Sequence, residues 1–498
     1  MSTSSKITLA RTGVEGLDDI LCGGLADGRL FLLEGSPGAG KTTIALRFLI
    51  EGAEQGERGL YVTLSETAAE LHTTARSHGW ILDDKIEVFE VVPPESLLDA
   101  DQQQSLLYSS DLELGETTKL IFQAVERTKA KRIVLDSLSE IRLLGQSSLR
   151  YRRQILAMKH YFARHGATVL LLDDLTADTL DKTVHSIAHG VVHLEQLTPD
   201  YGAERRRLRV IKYRAQAYRG GYHDFIIRAG GVQAFPRLVA AEHRRQSPQG
   251  RTRTGIARFD ALLGGGIEAG SSTLFLGPSG AGKSLLVLQF VAEAIRRGGK
   301  AAMFIFDEEL GLLFERTKAL GLDLAALVAS GNLLITQLDA AELSPGEFAH
   351  KVRAAVEDPA VKTVVIDSLN GYQAAMPEEN ALILHMHELL QFLNRQGVST
   401  FLTVAQHGLV GEMKSPVDVT YLADAVVLLR FFEARGAVRR AISVIKKRTG
   451  KHEETIREFW IDGGVHFGEP LTEFHGVLRG VPELPREERA SRLPPAGG

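Results

Sequence analysis

Cysteine is almost absent: Cys22 is the only one in 498 residues. An intramolecular disulfide and a cysteine-based metal cluster are therefore excluded, and Cys22 itself reads as a small buried hydrophobe. Long apolar runs are also missing. No stretch reaches the ~18 residues that a membrane span needs, and the opening MSTSSKITLARTG holds no apolar core of signal-peptide length. A soluble, cytoplasmic chain with no membrane partner is the expectation. An excess of positive charge is lacking too, since 58 Lys and Arg stand against 62 Asp and Glu for a net −4. No global positive field would hold nucleic acid. That counts against a constitutive nucleic-acid partner, although a local basic loop stays open.

What is present is a globular composition, 44% apolar and 24% charged. The length suits two domains of about 240 residues each. The chain also repeats itself. TGVEGLDDILCGGLADGRLFLLEGSPGAGKTT, from Thr12, matches TGIARFDALLGGGIEAGSSTLFLGPSGAGKSL, from Thr254. Lys41 and Lys283 lie 242 residues apart, Asp136 and Asp367 231, and Lys212 and Lys446 234. A period this long means a duplicated domain, and the drift means loop insertions. Residues 235–255 carry two prolines and a cluster of arginines, a linker composition. The expected domains are 1–240 and 254–480, joined by a linker at 241–253 and followed by a charged, proline-rich flexible tail at 481–498.

Within each copy, fully apolar runs alternate with amphipathic helical stretches. LFLLEG, GLYVTL, RIVLDS and ATVLLLDD in the first copy answer to TLFLGP, AAMFIF, TVVIDS and STFLTV in the second. Such strands predict an α/β fold: two tandem RecA-like P-loop domains, each a mostly parallel sheet covered by helices on both faces.

Two loops carry the chemistry. Gly35, Ser36, Pro37, Gly38, Ala39, Gly40, Lys41 and Thr42 read GSPGAGKT, followed by Thr43. Gly277, Pro278, Ser279, Gly280, Ala281, Gly282, Lys283 and Ser284 read GPSGAGKS, followed by Leu285. Both fit G-x-x-x-x-G-K-[ST] between an apolar strand and a helical run, the context the motif requires. Glycines let successive backbone N–H groups close around phosphate at the positive end of a helix. Lys41 and Lys283 would reach the β/γ-phosphates of ATP, and the Thr42 and Ser284 hydroxyls would ligate Mg²⁺. The bland alternative is a glycine-rich turn with no ligand.

Asp136 and Asp367 each end an apolar strand, where a carboxylate can hold the metal through its water shell. A helix cap is the competing role. For the group that orients the attacking water, FIFDEEL offers Glu308 and Glu309. In YVTLSET, Ser65 stands at the place of Glu308 and only Glu66 remains. A solvated loop carboxylate is the alternative for each. The substitution of Ser65 predicts two sites that differ in rate.

These residues resemble the KaiC family of circadian-clock ATPases over nearly the whole chain. The duplicated loops carry the likeness, with the EE after the second loop, VVIDSLN, and IREF after a K-x-R motif. The ending LTEFHGVLRGVP looks like that of the wider, non-cyanobacterial KaiC-like group. The resemblance implies a homohexameric ring in two tiers with ATP held between neighbours. Lys212 and Arg214, with Lys446 and Arg448, would then reach a neighbour's γ-phosphate as an arginine finger does; alone, such pairs are solvated strand edges. It further implies serine/threonine autokinase activity in the second domain. Thr420 falls at the first of the family's two acceptor positions and Tyr421 replaces the second. A packed or capping threonine is the alternative. The implied function is a slow ATPase and autokinase in signalling or circadian-type timing, with signalling-protein partners and a first domain that mainly assembles the ring. A RecA/RadA-like DNA-dependent ATPase and an ATP-gated scaffold are the competing readings.

Overall fold

The computed structural model describes residues 8–91, 106–145, 147–175, 183–199, 202–243, 250–306, 308–376, 379–406, 420–434 and 436–479. The tail at 481–498 lies outside the described residues, as does 244–249 within the linker. The chain divides into two compact units, Met1–Arg237 and Leu238–Gly498. Ala240 N donates to Glu388 Oε2 and Arg395 Nη1 donates to His243 O, so the residues just after Arg237 belong to the second unit.

The first unit is built on strands β1 (Leu30–Gly35), β2 (Gly59–Thr63), β3 (Ile86–Glu90), β4 (Arg132–Asp136), β5 (Thr168–Asp173), β6 (Gly190–Leu197), β7 (Arg205–Tyr213), β8 (His223–Arg228) and β9 (Gly231–Phe235). They form one sheet in the order β9-β8-β7-β6-β1-β5-β4-β2-β3. From β3 to β6 every pairing is parallel, and the β6 to β9 edge is antiparallel. The second unit repeats the plan with β10 (Ser272–Gly277), β11 (Lys300–Ile305), β12 (Leu333–Gln337), β13 (Val361–Asp367), β14 (Ser399–Ala405), β15 (Ala425–Ala434), β16 (Ala437–Lys447), β17 (Arg457–Ile461) and β18 (Val465–Pro470). Its order is β12-β11-β13-β14-β10-β15-β16-β17-β18.

The parallel strands are apolar throughout because both faces are covered. In the first unit Phe31, Leu33, Tyr61, Val134 and Leu170 join the core on one face. Leu30, Leu32, Leu60, Val62, Ile133 and Leu135 join the core on the other, as a period of two requires. Phe275, Met303 and Val365 against Leu274, Phe304 and Val364 reproduce the pattern in the second unit. The antiparallel strands are only half-buried, and β7 carries its arginines there. Two doubly covered α/β units are thus present, as the strand composition led us to expect. Among the described residues no helix is long and apolar enough to cross a membrane.

Cys22 departs from its reading as a buried hydrophobe. It is exposed, with φ 55°, in the tight turn after the first short helix, Leu17–Ile20.

Candidate functional site

Each phosphate loop leaves the carboxyl end of a central strand, β1 or β10, and runs into a 14-residue helix, α1 (Lys41–Glu54) or α2 (Lys283–Arg296). Gly40 and Gly282 cap these helices in the left-handed region at φ 103° and 102°, where a side chain would be strained. At the strand ends, a Cβ on Gly35 would stand 2.7 Å from Leu194 O, and one on Gly277 2.6 Å from Leu429 O. The sheet leaves room for glycine only.

The loop lysines are buried and folded back on the loop. Lys41 Nζ donates to Gly35 O at 2.7 Å and Ser36 O at 2.9 Å. Lys283 Nζ repeats this with Gly277 O at 2.9 Å and Pro278 O at 2.8 Å. Burial pulls the Lys283 ammonium below its ordinary pKa, with Asp367 opposing. Lys41 has one partner with no equivalent at Lys283 among the described residues: Asp174 Oδ1, at 2.8 Å.

Asp136 and Asp367 end β4 and β13 at equivalent positions, each followed by a cis peptide. Burial raises the Asp136 pKa, and Asp174 adds to this; Tyr61 and Lys41 oppose it. The donors that hold these two carboxylates come from opposite sides. Tyr61 on β2 donates to Asp136 Oδ2 at 2.5 Å. In the second unit the register puts Met303 at Tyr61's position, and Asp367 instead receives the Thr403 hydroxyl from β14. Tyr61 also neighbours the Thr42 hydroxyl, which brings both candidate magnesium ligands of the first unit to one point.

The strand register corrects the pairing of the glutamates. Thr63 faces Asp136 and Ile305 faces Asp367, and the next residues, Leu64 and Phe306, donate to those aspartates' carbonyls. Counting on, Glu66 occupies the position of Glu308, and Ser65 stands one residue earlier. Thr67 and Glu309 share the N-cap of the following helix. The register thus sets Ser65 one residue before the position of Glu308, where the letters alone place it level. The two glutamates still differ in setting. Glu66 has a buried Oε2 with no hydrogen-bond partner among the described residues. Burial raises its pKa, with Asp136, Glu70 and Asp174 adding to the effect. Glu308 is paired with Arg316 at 2.9 Å.

In the second unit these groups line a cleft of about 530 Å³, where Ser279, Gly280 and Gly282 to Leu285 meet Glu308, Asp367, Arg316, Arg440 and Ile461. Hydroxyl, carboxylate and lysine converge on the mouth of the loop in both units. That donor set fits a phosphate-bound magnesium ion, which takes one or two protein oxygens and keeps the rest from phosphate and water. Among the described residues no group of three or more His, Cys, Asp or Glu is arranged as a metal cage.

The basic pairs lie elsewhere. Arg214 N donates to His189 O and His189 N to Leu30 O, which places Arg214 at the start of β1. Its own phosphate loop begins at the far end of that strand, ~16 Å away by strand rise. Arg448 N donates to Asp424 O and Asp424 N to Ser272 O, the same arrangement at β10. Within the chain these side chains anchor carbonyls. Lys212 Nζ donates to Ala188 O at 2.8 Å and Arg214 Nη2 to Ser186 O at 2.8 Å. Lys446 Nζ donates to Thr420 O at 3.0 Å and Ala423 O at 2.9 Å, and Arg448 Nη2 to Tyr421 O at 2.6 Å. Thr420 therefore sits at the edge opposite its own phosphate loop.

Sequence reasoning missed Asp174, Tyr61, Arg316 and Arg440. It also missed Glu34, one residue before the first loop, which bridges His185 at 2.7 Å and His193 at 3.0 Å. Burial would raise the Glu34 pKa, yet the two histidines outweigh it and hold the carboxyl at about 2. Only the doubled Asp of LLLDD offered any signal.

A family model described as "ATPase: KaiC" matches residues 10–239 and again 252–471. The chain is 27% identical over 493 residues to the circadian clock protein KaiC3 of Synechocystis sp., covering 97% of this chain and 96% of that protein. It is 26% identical to the circadian clock oscillator protein KaiC of Parasynechococcus marenigrum, over 99% of this chain and 96% of that one. The KaiC of Synechococcus elongatus gives 26% over 99% and 95%. With both repeats matched at the units that carry the phosphate loops, the chain belongs to the KaiC family of ATPases.

Proposed function

We propose that the chain hydrolyses ATP with magnesium at two sites, and that the second unit transfers phosphate to Thr420 of a neighbouring copy. The reading rests on one observation above all: a buried loop lysine and a strand-end aspartate recur at equivalent registers in both units. Lys41 and Lys283 neutralise the β- and γ-phosphates, while the loop N–H groups hold them in line. Thr42 with Asp136, and Ser284 with Asp367, would hold the metal. When bound, magnesium would neutralise charge developing on the phosphate oxygens. Glu66 and Glu308 orient the attacking water, and Glu308 accepts the proton of the Thr420 hydroxyl when that is the nucleophile.

The opposed placement of loop and basic pair supports sites completed by a neighbour. Along the strands Arg214 and Arg448 stand ~16 Å from their own loops, and Lys212 and Lys446, level with Leu32 and Leu274, stand ~10 Å away, so at a phosphate they would serve another copy. A closed ring of six satisfies this head-to-tail relation. The relatives are named as circadian clock proteins, which supports a part in circadian-type timing; to this we add a signalling role in the cytoplasm with protein partners.

Incubation with Mg²⁺ and γ-labelled ATP, followed by site mapping, tests this. Label on Thr420 that vanishes in Glu308→Gln is the expected result. Free phosphate with no bound label would leave an ATPase without autokinase activity.

A further inference from the structure

The ion pair between Asp174 and Lys41 has no counterpart among the described residues of the second unit. An ammonium has three protons to give, and those of Lys41 are taken by Gly35 O, Ser36 O and Asp174 Oδ1. Lys41 keeps 6% of its side chain exposed and Asp174 keeps 30%. Phosphate oxygens that reach Lys41 must therefore displace a partner. The two carbonyls are part of the loop backbone, whereas Asp174 is a side chain just past the end of β5, with solvent on one side. In the second unit the pairing of Gly277 with Ala405 puts Ala405 at Asp174's place. Lys283 makes no ion pair among the described residues.

Displacement also has somewhere to send the charge problem. Asp174 stands close enough to Asp136 and Glu66 to raise the pKa of both. Phosphates entering the first unit thus meet Asp174 and Asp136 beside Lys41, with Glu66 close to both carboxylates, whereas among the described residues the second unit offers Asp367 and Glu308, the latter already paired with Arg316.

We propose that Asp174 is a displaceable latch on the first phosphate loop, which lowers the first unit's nucleotide affinity relative to the second. This rests on Lys41 being a phosphate ligand. The latch predicts a sign opposite to that of a magnesium-holding carboxylate, whose removal would weaken binding.

The test titrates a fluorescent ADP or ATP analogue with Mg²⁺ into the full chain, with the other site silenced. In a Lys283→Ala background, Asp174→Asn should tighten binding about fivefold, the order expected for an ion pair with one partner partly open to solvent. In a Lys41→Ala background, Ala405→Asp should install the latch and weaken binding about as much. Unchanged or weaker binding in Asp174→Asn would overturn the latch, as would unchanged binding in Ala405→Asp. Adding Lys41→Ala to Lys283→Ala should abolish binding. Its persistence would instead remove the phosphate-loop reading on which the latch rests.

Discussion

Removing the Tyr61 hydroxyl should damage the first nucleotide site and spare the second. In Tyr61→Phe, Asp136 loses a buried donor at 2.5 Å while its ring contacts in the core stay in place. A hydrogen bond to a charged group is worth ~1.5–3 kcal/mol, and part of that returns when water or Thr42 fills in. Groups that orient a metal-holding carboxylate typically cost ten- to hundredfold in metal affinity when removed. Taking the lower end, a loss of about 1.4 kcal/mol, or tenfold, is expected in magnesium-dependent nucleotide binding. The second unit supplies the mirror experiment. There Met303 replaces the tyrosine and Thr403 donates from the other neighbouring strand, so Thr403→Val should cost the second site alone. The assay is a Mg²⁺ titration of fluorescent nucleotide binding in Lys283→Ala and Lys41→Ala backgrounds. Equal shifts at both sites, or none at either in the two variants, would refute the assignment of these aspartates to the metal.

Arg132 is almost wholly buried, pairs with Glu57 at 2.6 Å and donates to the carbonyls of Arg11 and Phe48. Arg132→Met removes these bonds and the guanidinium that neutralises Glu57, and should destabilise the first unit by about 3 kcal/mol, read as an earlier first transition in urea. Glu34 makes the same unit acid-sensitive. Its folded pKa of about 2 lies below the ordinary glutamate value of 4.5, so the stability it contributes is complete above the unfolded pKa and is lost as pH falls from about 4.5 towards 2. Glu34→Gln should flatten that window by about 2 kcal/mol after solvent screening, measured as the pH dependence of urea midpoints. Arg214→Ala should slow hydrolysis at the first site by about a thousandfold with nucleotide affinity little changed, if it acts as a neighbour's finger. Mixing it with Lys41→Ala chains should restore some turnover, because intact loops and intact fingers then meet across interfaces.

The fold was legible because parallel strands buried on both faces must be apolar, and LFLLEG or TVVIDS can be little else. The placement of the glycine-rich loops between strand and helix, and of the aspartates at strand ends, was legible for a related reason: each feature sits in a short local run. Long-range partners were not. Tyr61 and Thr403 perform one task from different strands, and only the register of β2, β4, β13 and β14 reveals it. The glutamates show the hazard of matching letters, since EE drew Ser65 against Glu308 until the pairings to Asp136 and Asp367 set Glu66 there. Cys22 misled because burial statistics ignore a turn that needs a positive φ.

Counting bound nucleotide tests the central claim most directly. Purified chain, saturated with ATP analogue and Mg²⁺, should hold two nucleotides per chain. Lys41→Ala and Lys283→Ala should each hold one, and the double variant none. One nucleotide per wild-type chain, or two in either single variant, would contradict an enzyme with two working phosphate loops.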